Sequence, residues 1–263
     1  MDFLQVTGKI FLVTGVANKK SVAYFIARGL IDNGAKVIFS VQNEDNQSKT
    51  QKLFPDSNVL ICDVENPDSI NRLGDYFQTN NIKLSGFVHS ISFAIYCEGL
   101  KPFHETKVED YLQATNISCF SLVAISNALK NSFAEDASIV TISISNTRAT
   151  AYGYMGPIKA ALDATVAFLA KSLSEISRIR VNAVCAGPLK TSASAGIPGY
   201  VNNYLFAEQL TLRKAALKTE EVANTAIFLL SPVSAGINAT GIVVDAGMSC
   251  NYFDQDIVNR AMR

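Results

Sequence analysis

The 263-residue chain reads as a doubly wound α/β fold: a parallel sheet covered by helices on both faces and built as a single domain. Three observations predict this. Short β-rich runs alternate with helical patterns from end to end. The strand candidates are continuous apolar runs, as strands buried on both faces require. A Gly-led turn directly after the first strand opens a helix, the arrangement with which such folds hold an anion. With 48% hydrophobic residues the chain can bury a large core, and α/β architectures of this size commonly form one domain.

The first strand, Ile10 to Val13, leads through the Gly turn into a helix over Ser21 to Asn33 and a second strand, Lys36 to Ser40. A third strand, Asn58 to Cys62, precedes the helical pattern Pro67 to Phe77. Ser85 to Ser90 reads as the fourth strand and Val108 to Phe133 as a long helix; Ala137 to Ile144 and Met155 to Ser174 repeat the pair. Arg180 to Val184, Glu220 to Leu230 and Ile242 to Val244 complete the series. Gly and Pro fall where single turns belong, and no repeat, low-complexity tract or interdomain linker interrupts them. The exception is the stretch from Leu189 to Gln209, rich in small residues and then aromatic. It suits a mobile lid near 190–209, with an ordinary surface excursion as the alternative.

Lys and Arg total 23, as do Asp and Glu, so no net field draws the chain to nucleic acid or to an anionic membrane. The expected ligand is small. Cys62, Cys97, Cys119, Cys185 and Cys250 are scattered and odd in number, without zinc or disulfide spacing, so reduced, mostly buried thiols are expected. Met1-Asp2-Phe3-Leu4-Gln5 lacks a charged region followed by an apolar one, and no stretch approaches about 18 uninterrupted apolar residues; the expected location is the cytoplasm. His89 and His104 are the only histidines, so no metal site is expected.

Tyr152-Gly153-Tyr154-Met155-Gly156-Pro157-Ile158-Lys159 sets a phenol and an ammonium seven residues apart at a helix start. On a continuing helix, positions i and i+7 share a face. A phenol so placed can donate to a developing oxyanion, and a nearby cation lowers the cost of the phenolate and can donate to a cofactor sugar. A half-buried ring beside a solvated amine is the alternative for this pair alone. Upstream, Thr14-Gly15-Val16-Ala17-Asn18-Lys19-Lys20-Ser21-Val22-Ala23-Tyr24 places exposed amides and the positive end of a helix after the first strand, where pyrophosphate would bind. The usual three-glycine fingerprint is absent.

Gly15-Val16-Ala17-x-x-x-Ser21-Val22-Ala23-Tyr24 resembles the modified glycine turn of enoyl-acyl-carrier-protein reductases, a divergent branch of the short-chain dehydrogenase/reductase superfamily with a Rossmann fold. The likeness spans nearly the whole chain. Gln42-Asn43, Cys62-Asp63-Val64, Phe87-Val88-His89-Ser90-Ile91, Arg180-Val181-Asn182-Ala183, Ala186-Gly187-Pro188-Leu189-Lys190-Thr191, Ser234-Ala235-Gly236-Ile237 and Val244-Asp245 follow in family order. Most specific is Tyr-x6-Lys, because the wider superfamily uses Tyr-x3-Lys, and this chain has Met155 at that tyrosine position.

The resemblance implies that Gly15, Ser21 and Val22 hold a pyrophosphate, Gln42 the adenosine ribose, Asp63 and Val64 the adenine, and Ser90 and Ile91 the inner ribose region. Leu189 and Thr191 belong to the same cofactor set, and Lys159 holds the nicotinamide ribose. Strand-end capping for Asp63 and a turn hydroxyl for Ser90 are the plain alternatives. Gln42 is neither an acid for ribose hydroxyls nor an arginine for a 2′-phosphate. NADH is favoured, and Lys19 and Lys20 leave NADPH open.

The implied reaction delivers hydride to the β-carbon of a trans-2-enoyl thioester, with Tyr152 donating to the carbonyl oxygen as enolate charge accumulates there. The carrier is acyl-carrier protein or coenzyme A, and the family habit is a homotetramer. A carrier protein would call for a basic patch, for which Lys101, Arg148, Lys190 and Arg213 are candidates. The pattern breaks at Ile144, where relatives carry a second tyrosine. It also breaks at Ser92, a glycine in the family, and at Asp245-Ala246-Gly247 in place of Asp-Gly-Gly. Tyr154 and Tyr96 are candidates to replace the missing ring, with core packing as the alternative for each. Asn116 sits where the superfamily often keeps an asparagine that organises a proton-relay water. Two other readings stand beside the enoyl reductase. One is a carbonyl reductase whose pocket is redirected by Ile144. The other is a dinucleotide-binding regulator without turnover.

Overall fold

Seven strands pair in parallel: β1 (Ile10–Thr14), β2 (Lys36–Val41), β3 (Val59–Ile61), β4 (Leu84–His89), β5 (Phe133–Ile144), β6 (Arg180–Ala186) and β7 (Gly241–Val244). Their order across the single sheet is β3-β2-β1-β4-β5-β6-β7. The chain therefore winds outward from β1 through β2 to β3, then crosses back to β4 and winds the other way. The computed structural model describes residues 2–96 and 99–262; Cys97, one of the five scattered cysteines, lies outside the described residues.

Each strand sends alternate side chains to opposite faces, and both faces of the central strands are dry. Phe11, Val13, Val88, Val140 and Val184 enter one core with α1 (Val22–Asp32) and α9 (Thr219–Leu230). Leu12, Phe87, Ile139 and Val181 enter the other with α3 (Pro67–Thr79), α5 (Ser121–Leu129) and α6 (Met155–Leu173). This is why the strands read as unbroken apolar runs. Arg180, at the start of β6, donates to the carbonyls of Leu229, Ser231, Ser234 and Ile237 at 3.0–3.2 Å, fastening the end of α9 to the sheet.

Several elements differ from the sequence expectation. The helix α2 (Glu44–Leu53) had no apolar signal, since Thr50 is its only buried residue. The stretch Val108 to Phe133 is α4 (Val108–Thr115), a π-helical turn (Asn116–Phe120) and α5; β5 then begins at Phe133 rather than Ala137. The early start of β5 follows from Phe133 pairing with Leu84 across a register shift. The apolar span Val108–Leu129 has a mean hydropathy of 1.2, yet half of it is buried inside the fold, which reads as a core helix. The stretch expected to form a lid is largely helical: α7 (Ser192–Ala195) is followed by α8 (Tyr200–Leu210). The chain ends in α10 (Gln255–Ala261).

Candidate active site

The reversal of strand order between β1 and β4 opens a crevice at the carboxyl ends of the strands, where ligands bind in folds of this kind. Here it is a cleft of about 780 Å³. The residues expected to hold the cofactor and the Tyr–Lys pair line it: Gly15, Ser21 and Val22 after β1, Gln42 after β2, Asp63 and Val64 after β3, Ser90 and Ile91 after β4, Tyr152 and Lys159 around the start of α6, and Leu189 and Thr191 after β6.

Close approach explains the turn after β1. Gly15 has φ +84°, and a Cβ there would stand 1.9 Å from the Ser90 carbonyl oxygen, so only glycine lets the loops after β1 and β4 touch. Thr14 ties the same loops together, donating through Oγ1 to Val88 O at 2.9 Å and accepting from Ser90 N at 3.4 Å. Ser21 caps α1 by accepting from Tyr24 N at 3.4 Å, which leaves the positive end of that helix on the cleft. Asp63 Oδ1 accepts from Glu65 N at 3.1 Å, so its turn-capping role is present together with its place on the wall. Thr191 caps α7, accepting from Ser194 N at 3.3 Å.

Tyr152 is not on the helix that carries Lys159. It ends a 3₁₀ turn (Thr150–Tyr152), Gly153 follows with φ +59°, and α6 begins at Met155. The seven-residue spacing works through a left-handed glycine hinge, not through two helical turns.

The expected electrostatics also change. Burial holds the Tyr152 phenol above its ordinary pKa. The Lys159 ammonium donates to Ile142 O at 2.9 Å. Burial pulls its pKa down to about 8, opposed by Asp163, Cys119 and Cys185. The phenol is thus a neutral donor at physiological pH, with its protonation set by the dry site and not by the lysine.

His89 is fully buried between Thr141 Oγ1 (2.9 Å) and Ser121 Oγ (2.8 Å), and burial, then Lys159, lowers its pKa to about 3; it is a neutral core bridge. His104 is exposed beside Glu105. Among the described residues no three His, Cys, Asp or Glu side chains gather as a metal would require. Cys62, Cys119 and Cys185 are buried free thiols and Cys250 an exposed one.

From the helix before β5, Gln113 and Ile117 reach the cleft; Asn116 begins the π turn and is not on its wall. The two candidate replacement rings part company. Tyr154 is buried with its hydroxyl on Ile95 N (2.8 Å) and Ile95 O (3.1 Å), away from the cleft, whereas Tyr96 lines it. Of the four basic candidates, Arg213 is committed to a two-pronged pair with Glu221 at 2.5 and 2.6 Å.

Two anchors escaped the sequence reading. Ser118 Oγ accepts from Phe93 N at 2.9 Å and donates to Phe93 O at 3.1 Å. Tyr200 OH accepts from Leu189 N at 2.8 Å and donates to Leu189 O at 2.9 Å. A lone serine or tyrosine in an apolar pattern carries no signal of such a clamp, because its partner is a distant backbone group.

Residues 15–249 match the family described as enoyl-(acyl carrier protein) reductase. The NADH-dependent enoyl-[acyl-carrier-protein] reductase FabI of Bacillus cereus is 36% identical, with the match covering 94% of this chain and 98% of that one. The NADPH-dependent FabI of Staphylococcus aureus is 31% identical over 93% and 98%. The crystal structure of the NADH-type enoyl-[acyl-carrier-protein] reductase from Aquifex aeolicus superposes with a TM-score of 0.88 at 31% identity, covering 93% of this chain and 97% of that one.

Proposed function

The chain belongs to the enoyl-(acyl-carrier-protein) reductase family, and from that premise we propose that it is an NADH-dependent reductase of trans-2-enoyl thioesters in fatty-acid synthesis, its substrate carried on acyl-carrier protein. The observation that carries the proposal is the convergence of Tyr152, Lys159 and the Gly15 turn on one cleft.

The donor set fits a dinucleotide. The amides after Gly15 and the start of α1 suit a pyrophosphate. Gln42 suits the adenosine ribose, Asp63 and Val64 the adenine, Ser90 and Ile91 the inner ribose region, and Leu189 and Thr191 the nicotinamide end. Bound NADH supplies the hydride for the β-carbon of the substrate. Tyr152 then donates a hydrogen bond to the thioester oxygen on which charge collects, and Lys159 turns its ammonium to the nicotinamide ribose. Burial keeps the Tyr152 phenol protonated, and the Lys159 ammonium keeps its charge below about pH 8 in spite of burial. Ala193, Ile197 and Tyr200 also line the cleft, so the segment 190–209 acts as its lid.

Gln42 offers no cation to a 2′-phosphate, which favours NADH, although the Staphylococcus aureus relative is named for NADPH and Lys19 and Lys20 are exposed near α1. Oxidation of NADH and NADPH is therefore to be followed in parallel with crotonyl and acetoacetyl thioesters. Enoyl-dependent oxidation of NADH is the expected result. Turnover of acetoacetyl thioester alone makes the chain a carbonyl reductase, and cofactor binding without any turnover makes it a regulator.

The assembly is a homotetramer. Leu112, Phe120 and Phe168 stand exposed on α4, the π turn and α6, and Val243, Tyr252 and Phe253 are exposed at and after the β7 edge, giving two separate apolar faces of the kind that subunits cover. Sedimentation should give a mass of four chains of 28.4 kDa; a monomer at micromolar concentration refutes it. Its place is the cytoplasm, where the free thiols stay reduced; recovery from an oxidising compartment would contradict that.

A further inference from the structure

Tyr96 forms a wall shared by two cavities. One is the 780 Å³ cleft; the other is a cavity of about 110 Å³ lined by Ile95, Leu100, Phe103, Gly153 and Tyr154. The Tyr96 hydroxyl is buried and finds no hydrogen-bond partner among the described residues. Its neighbours differ: the hydroxyls of Tyr154 and Tyr200 each exchange two hydrogen bonds with a backbone segment. A buried hydroxyl left without a partner is destabilising, and a position that tolerates one needs a reason.

The backbone that carries Tyr96 is held tightly for a loop. Phe93 is clamped at both its N–H and its C=O by Ser118, and Ile95 at both by Tyr154. The Tyr96 ring lies 5.7 Å from that of Tyr154, tilted by 36°. Preorganisation of this kind is what a positioned donor requires. Tyr152 is near enough that a phenolate there would oppose ionisation of Tyr96, and both stay protonated. On the same cleft wall β5 contributes Ile144, a side chain with nothing to donate.

We propose that Tyr96 is a second catalytic donor, its phenol reaching the substrate carbonyl oxygen beside Tyr152, delivered by the loop after β4 instead of by β5. Tyr96 gives a hydrogen bond only and neither gains nor loses a proton over the cycle: the hydride from NADH adds to the β-carbon, a proton from solvent closes the enolate at the α-carbon, and both phenols end as they began. The proposal rests on the enoyl-thioester reading of the site.

Tyr96→Phe tests it, because the ring and its packing stay while the hydroxyl goes. Expected are a fall in kcat of about 10- to 100-fold with crotonyl thioester, weaker binding of butyryl thioester to the NAD⁺-loaded protein, unchanged NADH affinity, and a melting temperature equal to or above wild type. A structural hydroxyl would behave oppositely, lowering the melting temperature with little change in kcat. Wild-type kcat together with wild-type butyryl binding overturns the proposal, as does a fall in melting temperature with kcat retained. If the wild-type protein reduces no enoyl thioester, the functional reading fails. Butyryl binding then decides Tyr96 on its own: weaker binding in the variant supports the contact, and equal binding refutes it.

Discussion

Tyr152→Phe is expected to lower kcat for crotonyl thioester by about 10²- to 10³-fold, the usual cost of removing one preorganised donor from a developing oxyanion. NADH affinity and the melting temperature should stay near wild type. The ring packs beside the core that α6 completes, and Phe keeps that packing; only the O–H is lost. If kcat falls while KM holds, the hydrogen bond is made in the transition state and not in the ground state. The pH profile adds a second check. The phenol sits above its ordinary pKa through burial, so it does not deprotonate in the working range. The alkaline limb of the wild-type rate should instead report Lys159, near 8. Full-rate enoyl reduction by Tyr152→Phe would remove the phenol from the mechanism.

The cleft was readable in the sequence because its residues follow strand ends. A buried parallel strand announces itself by composition, and the residue just past its carboxyl end is then on the crevice by topology alone. Gln42, Asp63, Ser90 and Leu189, which the resemblance to the reductase family singled out, all stand within three residues of such a strand end and line the cleft. What hid was structure without an apolar period. Glu44–Leu53 is a helix held by its Asn43 cap and three Gln51 contacts to loop carbonyls, with no stripe of the kind that marks an amphipathic helix. Phe133 to Asp136 belongs to β5 although Glu135 and Asp136 face solvent, and its apolar signal is limited to Phe133 and the half-buried Ala134. Tyr152 shows a subtler limit. Its distance from Lys159 along the chain was right for a helix face, but Gly153 turns the backbone left-handed between them. Both still line the cleft. Tyr96 stands out in the sequence only as an aromatic; that its hydroxyl finds no partner among the described residues while that of Tyr154 bonds Ile95 is a matter of tertiary packing.

Lys159→Met is expected to make the protein more stable and less active at once. Lys159 is 4% exposed, and burial is the first cause of its fall from 10.5 to about 8. At about 1.4 kcal/mol for each pKa unit, the charged form carries a burial cost on the order of 3 kcal/mol. The folded pKa lies below the unfolded one. Below pH 8 both states are charged and the cost is fully present. Between about 8 and 10.5 the unfolded chain binds the extra proton, so stability rises with pH. The variant should therefore exceed wild type in melting temperature at pH 6 to 7, by a margin that shrinks as the pH climbs through 8. The margin stays under 3 kcal/mol, because Asp163 loses the cation that opposes its own burial and Ile142 O loses its donor. The other groups around the ammonium, the thiols of Cys119 and Cys185 and the neutral His89, carry no charge that the change would strand. Function moves the other way: losing a charged donor to the ribose should weaken NADH about 10- to 100-fold. Sites that hold a buried charge for chemistry give up stability in this manner. A variant that melts lower than wild type at pH 7, or that keeps wild-type NADH affinity, would show that the ammonium is structural and not held in reserve for the cofactor.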